Sequence, residues 1–144
     1  MKRDEAIAPL SREHHSTLIL AQLLKQHAPV YNGLPATVAD KITYAQEQFK
    51  TTIQHHFQQE ENMLELTKGS NTEMDTLAAE IKNEHRQLTA LFNSLDTAAD
   101  PEKTMDTLAN MLQDHIRKEE RVLFPLLQQH CTEDQLQQVH KLLH

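Results

Sequence analysis

Glycine, tryptophan and cysteine are nearly missing from this chain of 144 residues, which holds two, none and one of them. Each shortage excludes something. Cys131 on its own cannot form an internal disulfide, so neither a disulfide framework nor an oxidising compartment is indicated. Long runs of Val, Ile and aromatic residues, the material of strands, are absent, while the good helix formers Gln, Leu, Glu, Lys and Ala are prominent. There is no Gly-rich phosphate loop and no nucleophile with a placed base, so a conventional enzyme is not indicated. Positive charge is also scarce. The formal net charge of −7 argues against nucleic acid or an anionic membrane surface as a partner. No apolar run is long enough for a signal peptide or a membrane span, and a soluble cytoplasmic protein is the expectation.

What the chain does have is helical periodicity. A single all-α domain over 1–144, an up-down-up-down four-helix bundle with a short extra C-terminal helix, is expected. Ser11 reads as an N-cap for a first helix over about 12–27. A loop from Pro29 to Pro35 precedes a second helix over about 36–66, whose apolar positions Val38, Ile42, Ala45, Phe49 and Ile53 advance by three or four. The third helix, about 73–95, carries Leu77, Ile81, Leu88, Leu91, Phe92 and Leu95. The fourth opens at Pro101 and carries Leu108, Met111 or Leu112, Val122 and Leu123, with Pro125 expected to kink or end it. Thr132-Glu-Asp-Gln135 is a capping box for the final helix, ending at Leu142-Leu143.

Histidine is the one residue in excess, with ten copies, and six lie in or beside a pattern written twice. Glu13-His14 is followed by His56-Phe-Gln-Gln-Glu60-Glu61; Glu84-His85 is followed by His115-Ile-Arg-Lys-Glu119-Glu120. Residues i and i+4 of a helix share a face about 6 Å apart along the axis, so each His-x-x-x-Glu presents an imidazole and a carboxylate in one direction. One such pair alone is usually a surface ion pair. Here, however, His56 and Glu60 continue the apolar stripe of helix 2, His115 and Glu119 that of helix 4, and His85 interrupts that of helix 3. A buried carboxylate costs several kcal/mol unless it is paired or holds a metal. Inward imidazoles and carboxylates together suit borderline cations such as iron, manganese or zinc.

The first helix leaves two choices. His14 lies on the line of Leu10, Leu18, Ala21 and Leu24 and is preferred; His15 precedes Leu18 by three, just as His85 precedes Leu88, and stays as the alternative. His55 lacks a Glu four residues on and reads as solvated or as a residue that supports a ligand from outside. Glu61 and Glu120 are rotated off the ligand face and read as surface charge.

On these residues the chain resembles the hemerythrin-like family of cation-binding bundles, from Leu10-Ser-Arg-Glu-His-His to the run His115-Ile-Arg-Lys-Glu-Glu-Arg-Val-Leu-Phe-Pro125. The resemblance implies a non-haem di-iron centre bridged by two carboxylates and an oxo or hydroxo group. Its ligands would be His14 or His15, His56, His85 and His115, with Glu60 and Glu119 as bridges; manganese or zinc are the other cations such donors accept. Oxygen-carrying members add a histidine one turn before the third-helix ligand, where this chain has Ile81, and end on a carboxylate five residues from its histidine, where Glu119 stands at four. The set is more similar to the iron-centre repair and nitric-oxide-responsive branch. That branch typically adds an N-terminal segment with cysteines, which these residues do not contain. The implied partner is a small diatomic molecule or peroxide, bound, sensed or reacted with at the di-iron centre in a stress response. An iron-storing or iron-delivering protein without redox turnover is the alternative.

Overall fold

The computed structural model describes residues 2–144, and the regular elements among them are five helices. Helix α1 spans Ala8–Leu24. Helix α2 runs as α-helix over Val38–Gln48, as a π turn over Phe49–Ile53 and again as α-helix over Gln54–Leu66. Helix α3 spans Thr72–Ser94. Helix α4 comprises Pro101–Lys118, a π turn over Glu119–Leu123 and a last segment, Phe124–His130. Helix α5 spans Glu133–Leu143.

The starts of four helices follow local chemistry. Thr37, Asn71, Asp100 and Thr132 each accept a hydrogen bond on the side chain from the backbone N–H three residues on, filling one of the donors a helix start leaves free. At Thr132 the Gln135 side chain returns the bond at 2.9 Å and completes the expected capping box. Helix α1 departs from expectation. It starts before Ser11, because Asp4 O accepts from Ile7 and Ala8 N–H and Pro9 sits in the first turn, where no N–H is needed. It stops at Leu24: Lys25 is extended and His27 takes a left-handed φ of 64°.

Helix α4 continues through Pro125 to His130, its regular α-helix giving way to a π turn just before the proline. Pro125 occupies the first turn of the segment after the π turn, in which Phe124 N–H reaches back five residues to Glu119 O. The wider turn supplies the room a proline ring lacks against the carbonyl four residues earlier in a regular helix. The same turn alters the stripe: Leu123 is fully buried, but Val122, expected inside, is 41 % exposed. Of the two earlier choices on α4, Leu112 is the buried one.

The apolar core is split into two slabs. One gathers Leu20 and Leu24, Ala45 to Phe57, Leu88 to Leu95, and Met105 to Leu112. The other gathers Ile7 and Leu10, Met63 and Leu64, Met74 to Ile81, and Leu123 to Leu127, closed by Val139 of α5. Successive helices thus send alternate ends into each slab, as an up-down-up-down order requires. Between the slabs lies a layer of buried polar side chains.

Candidate metal centre

That layer takes His14 from α1, His56 and Glu60 from α2, His85 from α3, and His115 and Glu119 from α4, all buried and the two glutamates 0 % exposed. The i,i+4 spacing brings His56 Nε2 to 3.3 Å from Glu60 Oε2, and His115 Nε2 to 3.0 Å from Glu119 Oε1. Glu60 also approaches His85 Nε2 at 3.0 Å and His14 Nε2 at 3.7 Å, while Glu119 Oε1 lies 3.3 Å from His14 Nε2. Two sets of donor atoms, each within 4.8 Å of one another, result: His14, His56, Glu60 and Glu119, and Glu60, His85, His115 and Glu119. Both carboxylates belong to both sets. His15 is exposed and joins neither, so the structure brings together six of the seven residues singled out in the sequence. His55 is exposed too, and Ile81 lies fully buried in an apolar slab.

Proximity here is not satisfaction. Among the described residues the buried side-chain N and O atoms without a hydrogen-bond partner are His14 Nε2, His56 Nε2, His115 Nε2, Glu60 Oε2 and both Glu119 oxygens. All of them face the same small space. An unsatisfied buried polar group costs about 1–3 kcal/mol, more when charged, and so many in one place call for a common partner. Nitrogen and carboxylate oxygen donors converging from four helices fit a divalent transition cation in each set.

Glu61 and Glu120 are not mere surface charge, which corrects the sequence reading. Glu61 Oε2 accepts from His85 Nδ1 at 2.8 Å, and Glu120 Oε1 lies 3.2 Å from His14 Nδ1. Rotated one residue past the inward face, each reaches sideways to the neighbouring helix. Two further partners were missed: Glu13 meets His56 Nδ1 at 2.8 Å, and Glu84 meets His115 Nδ1 at 2.7 Å. The doubling of Glu-His and Glu-Glu in the repeat was the available signal. Aromatic rings pack on the imidazoles as well. Phe57 stacks on His85 with centroids 4.1 Å apart, and Phe124 lies parallel to His14 at 5.7 Å.

The electrostatics are uneven. Burial works to lower the pKa of His14 and of His56. The carboxylates around them, Glu120 and Glu60 for His14 and Glu60 and Glu13 for His56, outweigh it and hold both at about 9. For His115 burial wins, and its pKa falls below the usual value despite the bond to Glu84. Burial also opposes ionisation of Glu60, but the imidazoles of His56, His14 and His85 drive it well below the carboxylate range. Burial pushes the Cys131 thiol up, away from the reactive thiolate. No helix among the described residues is long and apolar enough to cross a membrane.

Residues 5–127 match the sequence model of the Hemerythrin HHE cation binding domain. The matched span contains every residue of the buried polar cluster, and α5 lies beyond it. No curated protein and no solved structure matches the chain.

Proposed function

The chain belongs to the hemerythrin HHE cation-binding family, and we propose that it holds two iron ions in the buried cluster and uses them to bind a small ligand, O2, NO or peroxide. His14, His56, Glu60 and Glu119 would hold one ion, and Glu60, His85, His115 and Glu119 the other, with the two carboxylates shared. The observation that carries this reading is the convergence of six partnerless buried donor atoms on one space. Iron, when bound, supplies electrons and a coordination position that the protein leaves open. The residues of this chain do the rest: they fix the donors on four helices and keep bulk water out with an apolar slab on either side.

Burial also favours a small-ligand role over iron storage or delivery. A delivered ion must meet a chelating acceptor, whereas these donors are nearly inaccessible to solvent. A diatomic molecule or peroxide needs far less space. Sensing, ligand storage or defence against oxidative or nitrosative stress are the tasks such a centre suits.

Two measurements test the reading. Protein expressed in iron-supplemented medium and purified without chelators should carry close to two irons per chain by mass spectrometry. Reduced and then exposed to O2, NO or peroxide, it should change its optical spectrum. Iron-loaded protein that ignores all three would retain the cation site and lose the small-ligand role; protein that refuses ferrous iron altogether would lose both.

A further inference from the structure

The four glutamates bordering the cluster form a closed circuit. Glu13 of α1 accepts from His56 of α2, Glu61 of α2 from His85 of α3, Glu84 of α3 from His115 of α4, and Glu120 of α4 pairs with His14 of α1. Each helix contributes one imidazole to the centre and one carboxylate to the next imidazole round, and the circuit returns to the helix where it began. Two of the carboxylates are anchored from behind. Glu120 meets Ser11 Oγ and, at 3.3 Å, Arg3 Nη2, while Glu84 is bonded to Lys118 Nζ. The other two, Glu13 at 43 % and Glu61 at 36 % side-chain exposure, reach in from solvent with no such anchor among the described residues.

We propose that Glu13, Glu61, Glu84 and Glu120 are positioning residues for the cation centre, an inference that rests on the metal-binding reading above. A neutral imidazole can carry its proton on either nitrogen, and only the bare one can bind a cation. A carboxylate against Nδ1 fixes the proton there, turns the ring, and leaves the Nε2 lone pair aimed inward. All four inward nitrogens in this protein are Nε2, and all four outward ones meet a glutamate. Simple helix-to-helix ties would not need to choose the same ring nitrogen four times. The doubled letters of the repeat thereby acquire distinct tasks. In Glu60-Glu61 and Glu119-Glu120 the first glutamate faces the cations and the second orients a histidine of the next helix.

The test replaces each of the four by glutamine, which keeps an oxygen acceptor and the helix contact but removes the charge. Parent and variants, prepared metal-free, are titrated with Co2+ and followed by its visible absorption, and the imidazole nitrogens are read by 15N NMR before metal is added, at a pH above about 9 where His14 and His56 have shed their second proton. Each variant should lose about 10–100-fold in Co2+ affinity. The loss should fall on one ion only: the His14–His56 set for Glu13→Gln and Glu120→Gln, the His85–His115 set for Glu61→Gln and Glu84→Gln. The nitrogen shifts should change only for the histidine that lost its partner, which a role confined to holding helices together would not produce. A parent that binds two Co2+ with four variants that match it would overturn the positioning role alone. A parent that takes up no Co2+ would overturn the metal centre, and the positioning role with it.

Discussion

A divalent cation that fills the His14–His56 set of the metal-free protein at pH 7 should expel close to two protons, one from each of these histidines. His14 and His56 are both held at about 9 by the glutamates around them, so at pH 7 each is about 99 % protonated by simple titration. A cation at His14, His56, Glu60 and Glu119 needs both nitrogens bare. Its apparent affinity should therefore rise up to about a hundredfold per pH unit from 6.5 towards 9, tenfold for each proton displaced. His115 is the contrast: burial lowers its pKa, so it holds less of a second proton at pH 7 than a free imidazole does. Isothermal titration calorimetry at pH 7 in two buffers of unlike ionisation enthalpy counts the protons directly. Heats that do not depend on the buffer would refute the reasoning, because they would mean that desolvation, and not the carboxylates, governs His14 and His56. The same shifts set the stability of the metal-free protein. A histidine raised from 6.5 to about 9 contributes fully below pH 6.5 and loses that contribution as pH climbs through 9, at most about 3 kcal/mol each. The two share Glu60, so their sum is smaller. Glu60, lowered from 4.5, contributes above that value and loses it as pH falls through its folded value. The contribution of these three groups is accordingly complete between about 4.5 and 6.5, while His115, lowered from 6.5, acts in the opposite sense below that value.

Substitutions in the centre, the core and a helix cap probe the layers separately. Glu60→Ala or Glu119→Ala should drop the metal content below one ion per chain by mass spectrometry while far-UV circular dichroism keeps its helical shape, whereas Glu73→Ala, on an exposed position of α3, should leave both unchanged. Phe57→Ala removes a buried ring stacked on His85 and should cost about 3–5 kcal/mol in urea unfolding; a loss below about 1 kcal/mol would mean that the ring is no part of the core. Thr132→Ala deletes the capping box of α5 and should cost about 1 kcal/mol. In calorimetry that is about 2–4 °C in the thermal midpoint, with metal content untouched.

Helix number, helix type and the inward face were legible because each is written in local spacing. Val38, Ala45, Phe49, Ile53, His56 and Glu60 step along one stripe, and a carboxylate on such a stripe is conspicuous. The capping box at Thr132 and Pro101 in the first turn of α4 were equally local signals. The π turns were not legible. A π turn has no residue signature, and Phe49–Ile53 looks like any continuation of α2. Nor could spacing reveal what Glu61 touches, since its partner His85 belongs to another helix and the distance between them is a tertiary quantity. The choice between His14 and His15 had the same cause: both lie near the apolar stripe, and the approach of α2 and α4 buries the first and leaves the second in solvent.

A π turn is one residue more than a helix needs, stored as a local widening. In α2 that surplus lies upstream of His56 and Glu60; in α4 it opens at Glu119. The two halves of the repeat therefore absorb gene-level insertions and deletions unequally. Removing Thr51 can be met by closing the turn into regular helix with the faces on either side still in phase, whereas removing a residue from the regular helix beside it rotates one side against the other by about 100°. Either His56 and Glu60 leave the centre or Ala45 and Val38 leave the slab beside it. Removing a residue from the stretch 29–35 carries no such phase. The π turns are thus the two places inside the long helices where the frame of the fold has slack, and sequence composition does not mark them.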